Sequence, residues 1–89
     1  MIISPKVVNT ILQRLADVYP FMLKPDGYRE LLKEIEENTL DGHLLYLWEK
    51  GMIDSQMNFN VHQEQWEINS LLTRITSVGI DYLDSQKTY

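Results

Sequence analysis

The feature that most restricts the fold of this chain is a change of hydrophobic period at Gly51. Before it, apolar side chains recur every three or four positions, as on an amphipathic helix. After it, Met57, Phe59 and Val61 alternate with Asn58, Asn60 and His62, the two-residue repeat of a half-buried strand. A chain that passes from helix to strand at a glycine, and later back to helix, is neither all-helical nor all-sheet. Its expected class is α+β.

Three helices are predicted before the change. The first covers residues 5–19, with Val7, Val8, Ile11, Leu12, Leu15, Val18 and Tyr19 on its apolar side, Ser4 as N-cap, Pro5 at the first helical position and Pro20 as the stop. Its apolar arc is wide enough for the domain's own core and for a second subunit. Residues 21–24, enclosed by Pro20 and Pro25, read as an edge strand or extended linker. The second helix takes Asp26 as cap, turns Tyr28, Leu31, Leu32 and Ile35 inward, and closes at Asn38. The third starts at Thr39, carries Leu40, Leu44, Leu47 and Trp48 inward, and ends at Gly51. Two helices joined by so short a link form a helix-turn-helix.

A hairpin is predicted next: a strand through residues 57–61, a polar loop over 62–65, and a return strand within 66–75, where Leu71, Thr73 and Ile75 offer one alternating face. Thr76 then caps a last helix carrying Val78, Ile80, Tyr82 and Leu83, and residues 85–89 are expected to fray. With 89 residues, of which 44% are hydrophobic, the chain supports one core and one domain, ordered over roughly residues 5–85.

This order of elements is that of a winged helix-turn-helix. The likeness is carried by residues 43–53, HLLYLWEKGMI, and 74–83, RITSVGIDYL. In them Leu47, Gly51, Met52 and Ile53, and then Ile75, Thr76, Gly79 and Leu83, fill a pattern found in prokaryotic winged-helix regulators. Over roughly residues 5–85 the chain resembles those of the MarR and PadR types. It is also similar to a family of short bacterial and prophage proteins of unknown function that keep a histidine where this chain has His43 and an ending like Tyr82, Leu83, Asp84. The resemblance implies a three-helix core with a β-hairpin wing and a C-terminal helix. It implies a DNA-binding transcriptional regulator of bacterial or phage type, dimerising through its first and last helices.

On the third helix Thr39, Gly42, His43, Tyr46 and Lys50 are expected to share the face that would read bases, Gly42 allowing close approach to a groove. Arg29, Lys33 and Arg74 are the candidate phosphate contacts, with Lys50 and Lys6 or Arg14 as further cations. In the wing Asn60, His62, Gln63, Gln65 and Trp66 are candidates for contact with DNA or with a partner.

Charge opposes the DNA reading. The net charge is −5, and the helix-turn-helix over residues 25–51 is the most acidic stretch, with three basic against seven acidic side chains. Residues 1–24 carry +2, and the wing over residues 60–65 has no Lys or Arg. A site that gains affinity by neutralising phosphates has little to work with here. The second reading is therefore a winged-helix interaction module, an adaptor or anti-defence protein, that does not bind DNA.

Other chemistry is not expected. There is no cysteine, so disulfides, thiolate metal sites and cysteine nucleophiles are excluded. Asp41 and His43 stand two positions apart on a helix and project about 200° from each other, which separates them as a catalytic or metal pair. Neither a phosphate-binding loop nor a nucleophile elbow occurs, so no enzyme, cofactor or metal is expected. Ser4, Pro5 and Lys6 interrupt the apolar start, and no run approaches the roughly 20 apolar residues of a membrane span. A cytoplasmic protein without a membrane partner is the expectation.

Overall fold

A computed structural model describes residues 1–86. The first helix, α1, spans Pro5–Asp17, with Ser4 in extended conformation and its hydroxyl oxygen accepting the Val7 N–H. Val8, Ile11, Leu12 and Leu15 are buried. The helix stops two residues earlier than the apolar pattern predicts, leaving Tyr19 46% exposed. Pro20 explains this, because its ring disfavours helical backbone at the preceding residue.

No strand forms over residues 21–24. Leu23 is buried instead, and its N–H donates to the Thr73 carbonyl at 2.7 Å. Helix α2 spans Lys24–Leu32 and opens on Lys24 with φ of 67°. It begins two residues before the predicted Asp26 cap; Asp26 pairs with Arg29 rather than closing the helix end. A turn through Ile35, itself buried, leads to α3 at Glu37–Glu49. The cap of α3 is Glu36, whose carboxylate accepts the Thr39 N–H at 2.9 Å. Thr39 thus lies inside the helix rather than at its start. At the other end Gly51 has φ of 76°, and the Met52 and Gly51 N–H groups donate to the Leu47 and Trp48 carbonyls, both at 3.0 Å. This is a Schellman closure, and it points the chain straight into a strand.

Four short strands follow: β1 (Ile53–Asp54), β2 (Met57–Asn60), β3 (Gln65–Ile68) and β4 (Arg74–Ile75). Together they make one antiparallel hairpin interrupted in the middle. Ile53 pairs with Ile75 and Asp54 with Arg74; further out, Met57 pairs with Ile68 and Asn60 with Gln65. Between these sections the outgoing arm has residues 55–56 and the returning arm residues 69–73. The surplus is taken up in a 3-10 turn at Ser70–Leu72, capped by Asn69. Leu71, predicted to share an inward face with Thr73 and Ile75, lies in that turn and is 58% exposed, whereas Thr73 and Ile75 are buried. The Thr73 hydroxyl donates to the Asn69 carbonyl, so the Ser55 hydroxyl is the donor in the buried 2.9 Å contact between the two side chains.

The last helix, α4, spans Ser77–Gln86. As predicted, Thr76 caps it by accepting the Gly79 N–H, and it also donates to the Gly51 carbonyl at 2.6 Å. The fraying expected over residues 85–89 is not seen at Ser85 and Gln86; residues 87–89 lie outside the described residues. Four helices and the interrupted hairpin surround one core of Ile11, Leu12, Leu15, Leu31, Leu40, Leu44, Leu47, Ile53 and Ile75. The fold is α+β, and no helix among the described residues is long and apolar enough to cross a membrane.

Candidate functional site

Helix α3 packs Leu40, Leu44 and Leu47 into the core, and His43 goes with them. Its ring is fully buried. The Ser4 N–H donates to His43 Nε2 at 2.9 Å, and Nδ1 lies 2.7 Å from the Thr39 carbonyl. A backbone N–H can only donate, so Nε2 is the bare nitrogen and Nδ1 carries the proton that reaches Thr39. The expectation that His43 reads bases is corrected: both ring nitrogens are engaged, and the residue joins α3 to the start of α1.

The neighbouring positions are no more open. A Cβ placed on Gly42 would fall 2.6 Å from both Sδ and Cε of Met1, so the notch left by the glycine is filled by that side chain. Thr39 is half-buried. Tyr46 is also half-buried and packs against the core, with the Lys50 ammonium 5.7 Å from its ring centroid. Of the five residues placed on a reading face, only Lys50 is exposed, and acidic Glu49 precedes it.

The three candidate phosphate contacts are each paired with a carboxylate. Arg29 pairs with Asp26, Lys33 with Glu30 at 3.0 Å, and Arg74 with Asp54 at 2.6 Å. Arg14, a further candidate, lies 3.3 Å from Glu34. Exposed pairs of this kind contribute about 0–1 kcal/mol to stability, and a phosphate could exchange with the carboxylate. It would still arrive beside that carboxylate and meet its repulsion, which removes much of the gain from contacting the cation.

The distal section of the hairpin has two unlike faces. Asn58, Asn60, Gln65 and Glu67 form the polar one, with Asn60 Nδ2 donating to Glu67 across the strands. Asn60 Oδ1 also accepts the His62 and Gln63 N–H groups, at 3.0 and 3.1 Å. Asn60 therefore organises the turn, while His62, Gln63 and Gln65 stand in solvent. On the other face Phe59 and Trp66 pair directly, their rings edge to face at 5.4 Å. Phe59 remains 47% exposed and Val61 68%. Trp66 is half-buried and packs against the core as well as against Phe59.

Sequence reasoning missed the contact between α2 and α3. The Tyr28 hydroxyl donates to Asp41 Oδ1 at 2.6 Å, and Asp41 is 6% exposed. Burial raises the Asp41 carboxyl above the usual aspartate range and the nearby Glu37 and Glu36 add to this, while the Tyr28 hydrogen bond pulls the other way. Burial and the bond to Asp41 raise the Tyr28 phenol as well. Glu36 is held below the usual range by the Thr39 and Asn38 N–H groups at the start of α3. A tyrosine on an apolar stripe gave no sign that its partner would be an aspartate thirteen residues away on the next helix.

Between α1 and α4 lies an open cleft of about 540 Å³, lined by Asn9, Thr10, Gln13, Arg14 and Leu83 among others. The buried Asn9 Oδ1 has no hydrogen-bond partner among the described residues. At this cleft, on the two helices where the dimer contact was expected, polar and apolar surface are present in about equal measure. Neither a protein-family model, nor a curated protein, nor a solved structure matches this chain.

Proposed function

We propose that the chain is a small winged-helix protein-interaction module that meets a partner through the apolar face of its wing and does not read DNA through α3. The observation that carries this reading is the state of the cations. Arg29 and Lys33 in the helix-turn-helix and Arg74 in the hairpin each face a carboxylate within the domain, which leaves a phosphate backbone only Lys50 as an unopposed cation over residues 25–51 among the described residues. Its third helix supports the same conclusion, since His43 is buried and Gly42 is covered by Met1.

The wing has the opposite character. Phe59 exposes apolar surface on a hairpin face opposite the polar one, Val61 is exposed in the adjoining turn, and Trp66 packs edge to face with Phe59. Rigid aromatic side chains on a projecting element make good anchors because little rotamer freedom is lost when a partner covers them.

Site-specific photo-crosslinking in source cells tests the reading. A crosslinker at Phe59 or Val61 is expected to give a discrete adduct that the same group at Asn58, on the polar face, does not. Adducts from neither position, or equal adducts from both faces, would refute wing-mediated binding.

A further inference from the structure

Residues 1–4 lie across the outward side of α3, and the way they are held suggests that this contact can be exchanged. Met1 covers the notch at Gly42, with Sδ and Cε each 2.6 Å from where an alanine Cβ would sit. Behind it, Ile3 is half-buried against the core and Ser4 is fixed twice, by its N–H to His43 Nε2 and by its hydroxyl to the Val7 N–H. Ahead of that anchor the hold is slight. Met1 is 73% exposed and Ile2 89%, so little apolar surface is lost from water by keeping them on the helix.

The notch also lies on a stripe. Asn38, Gly42, Leu45 and Glu49 succeed one another at four-, three- and four-residue steps and so share one side of α3. Leu45 is half-buried, and Glu49 is exposed with no ion-pair partner among the described residues. Gly42 and Glu49 are separated by about 10 Å along the helix axis, the reach of three extended residues.

We propose that the Gly42 notch is a docking site for an unbranched apolar side chain, of the methionine class, on an extended partner segment carrying a cation about three residues away, and that Met1 is the internal stand-in that this side chain displaces. The unbranched shape follows from what fills the notch now. The cation follows from Glu49, whose charge no residue answers with an ion pair among the described residues. The proposal rests on the reading of the chain as a protein-interaction module, but it concerns a different surface from the wing. It can therefore fail while wing binding stands.

The probe is a blocked peptide, Met-Ile-Ile-Lys, titrated into the full chain while backbone amide resonances are followed by NMR. Shifts are expected at residues 42, 45, 46 and 49. The Met1→Ala chain, with its internal competitor shortened, should bind at least fivefold more tightly. Gly42→Ala should abolish the shifts, and because alanine is the better helix former the variant will fold. Its folding is checked independently by displacement of the Met1 methyl resonance with the other core methyl signals unchanged. A Val-Ile-Ile-Lys peptide, and Glu49→Gln with the original peptide, should each bind several-fold more weakly. Absence of shifts in both wild type and Met1→Ala at about 1 mM peptide, equal affinity for those two chains, or binding that survives Gly42→Ala would overturn the proposal.

Discussion

Replacing His43 by alanine distinguishes a core residue from a base-reading one by its effect on stability. Loss of the ring leaves the Ser4 N–H without its acceptor, at about 1–3 kcal/mol for a donor withdrawn from water. It also empties a fully buried site, for which the lower end of large-to-alanine series gives roughly 2 kcal/mol. The two together predict a loss of about 3–5 kcal/mol, which in a domain of this size lowers the melting temperature by roughly 12–40 °C. Urea unfolding followed by the fluorescence of Trp48 and Trp66 measures this, with the midpoint falling and the slope unchanged. If the midpoint shift corresponds to less than about 0.5 kcal/mol, as for an ordinary surface substitution, then His43 is not the buried link between α1 and α3.

Gly79→Ala should destabilise by about 1–3 kcal/mol, since the new Cβ would meet the Met52 carbonyl oxygen at 2.3 Å and a backbone atom cannot step aside as a side chain can; thermal unfolding within 1 °C of wild type would refute the close packing of α4 on that turn. Asp41 gives a dependence on pH. Because its carboxyl is raised in the folded state, its contribution to stability is fully present below the ordinary aspartate range and is lost as pH rises through the folded value. Asp41→Asn, which keeps an acceptor for Tyr28, should therefore gain on wild type as the pH of chemical denaturation is raised from about 4 to about 7; a difference that is flat or shrinks over that interval contradicts the burial argument.

Much of the architecture was legible because it depends on local signals. Gly51 and the period change located the end of α3 and the start of the hairpin, and Ser4 and Thr76 marked the starts of α1 and α4 through hydroxyl caps. The errors arose where a particular partner, near or distant in sequence, overrode residue type or pattern. Glu36 caps α3 although glutamate is a weak cap by type, and the pattern assigned that helix to Thr39 instead. The alternation of Leu71, Thr73 and Ile75 was broken by a turn that only the register of the two arms reveals.

The surface was harder to read. Helical spacing put His43 with Gly42 and Tyr46, but its distance from the core stripe is only a fraction of a turn, and the Ser4 N–H supplied the partner that makes burial affordable. Met1 on Gly42 had no signature at all, because nothing in a periodic pattern tells where residues before a helix will lie. The charge sums have a local counterpart in three dimensions: over residues 25–51 Arg29 and Lys33 each pair with a carboxylate, while Lys50 has no ion pair among the described residues.

The claim that α3 does not read DNA is tested most directly by titrating the protein into a fluorescently labelled duplex of mixed sequence and following anisotropy at about 25 mM and about 150 mM salt. The account predicts no saturable binding at either salt up to about 100 μM protein, the weak limit of ordinary nonspecific association. Saturable binding that weakens steeply between the two salts and is lost on Lys50→Ala would contradict it.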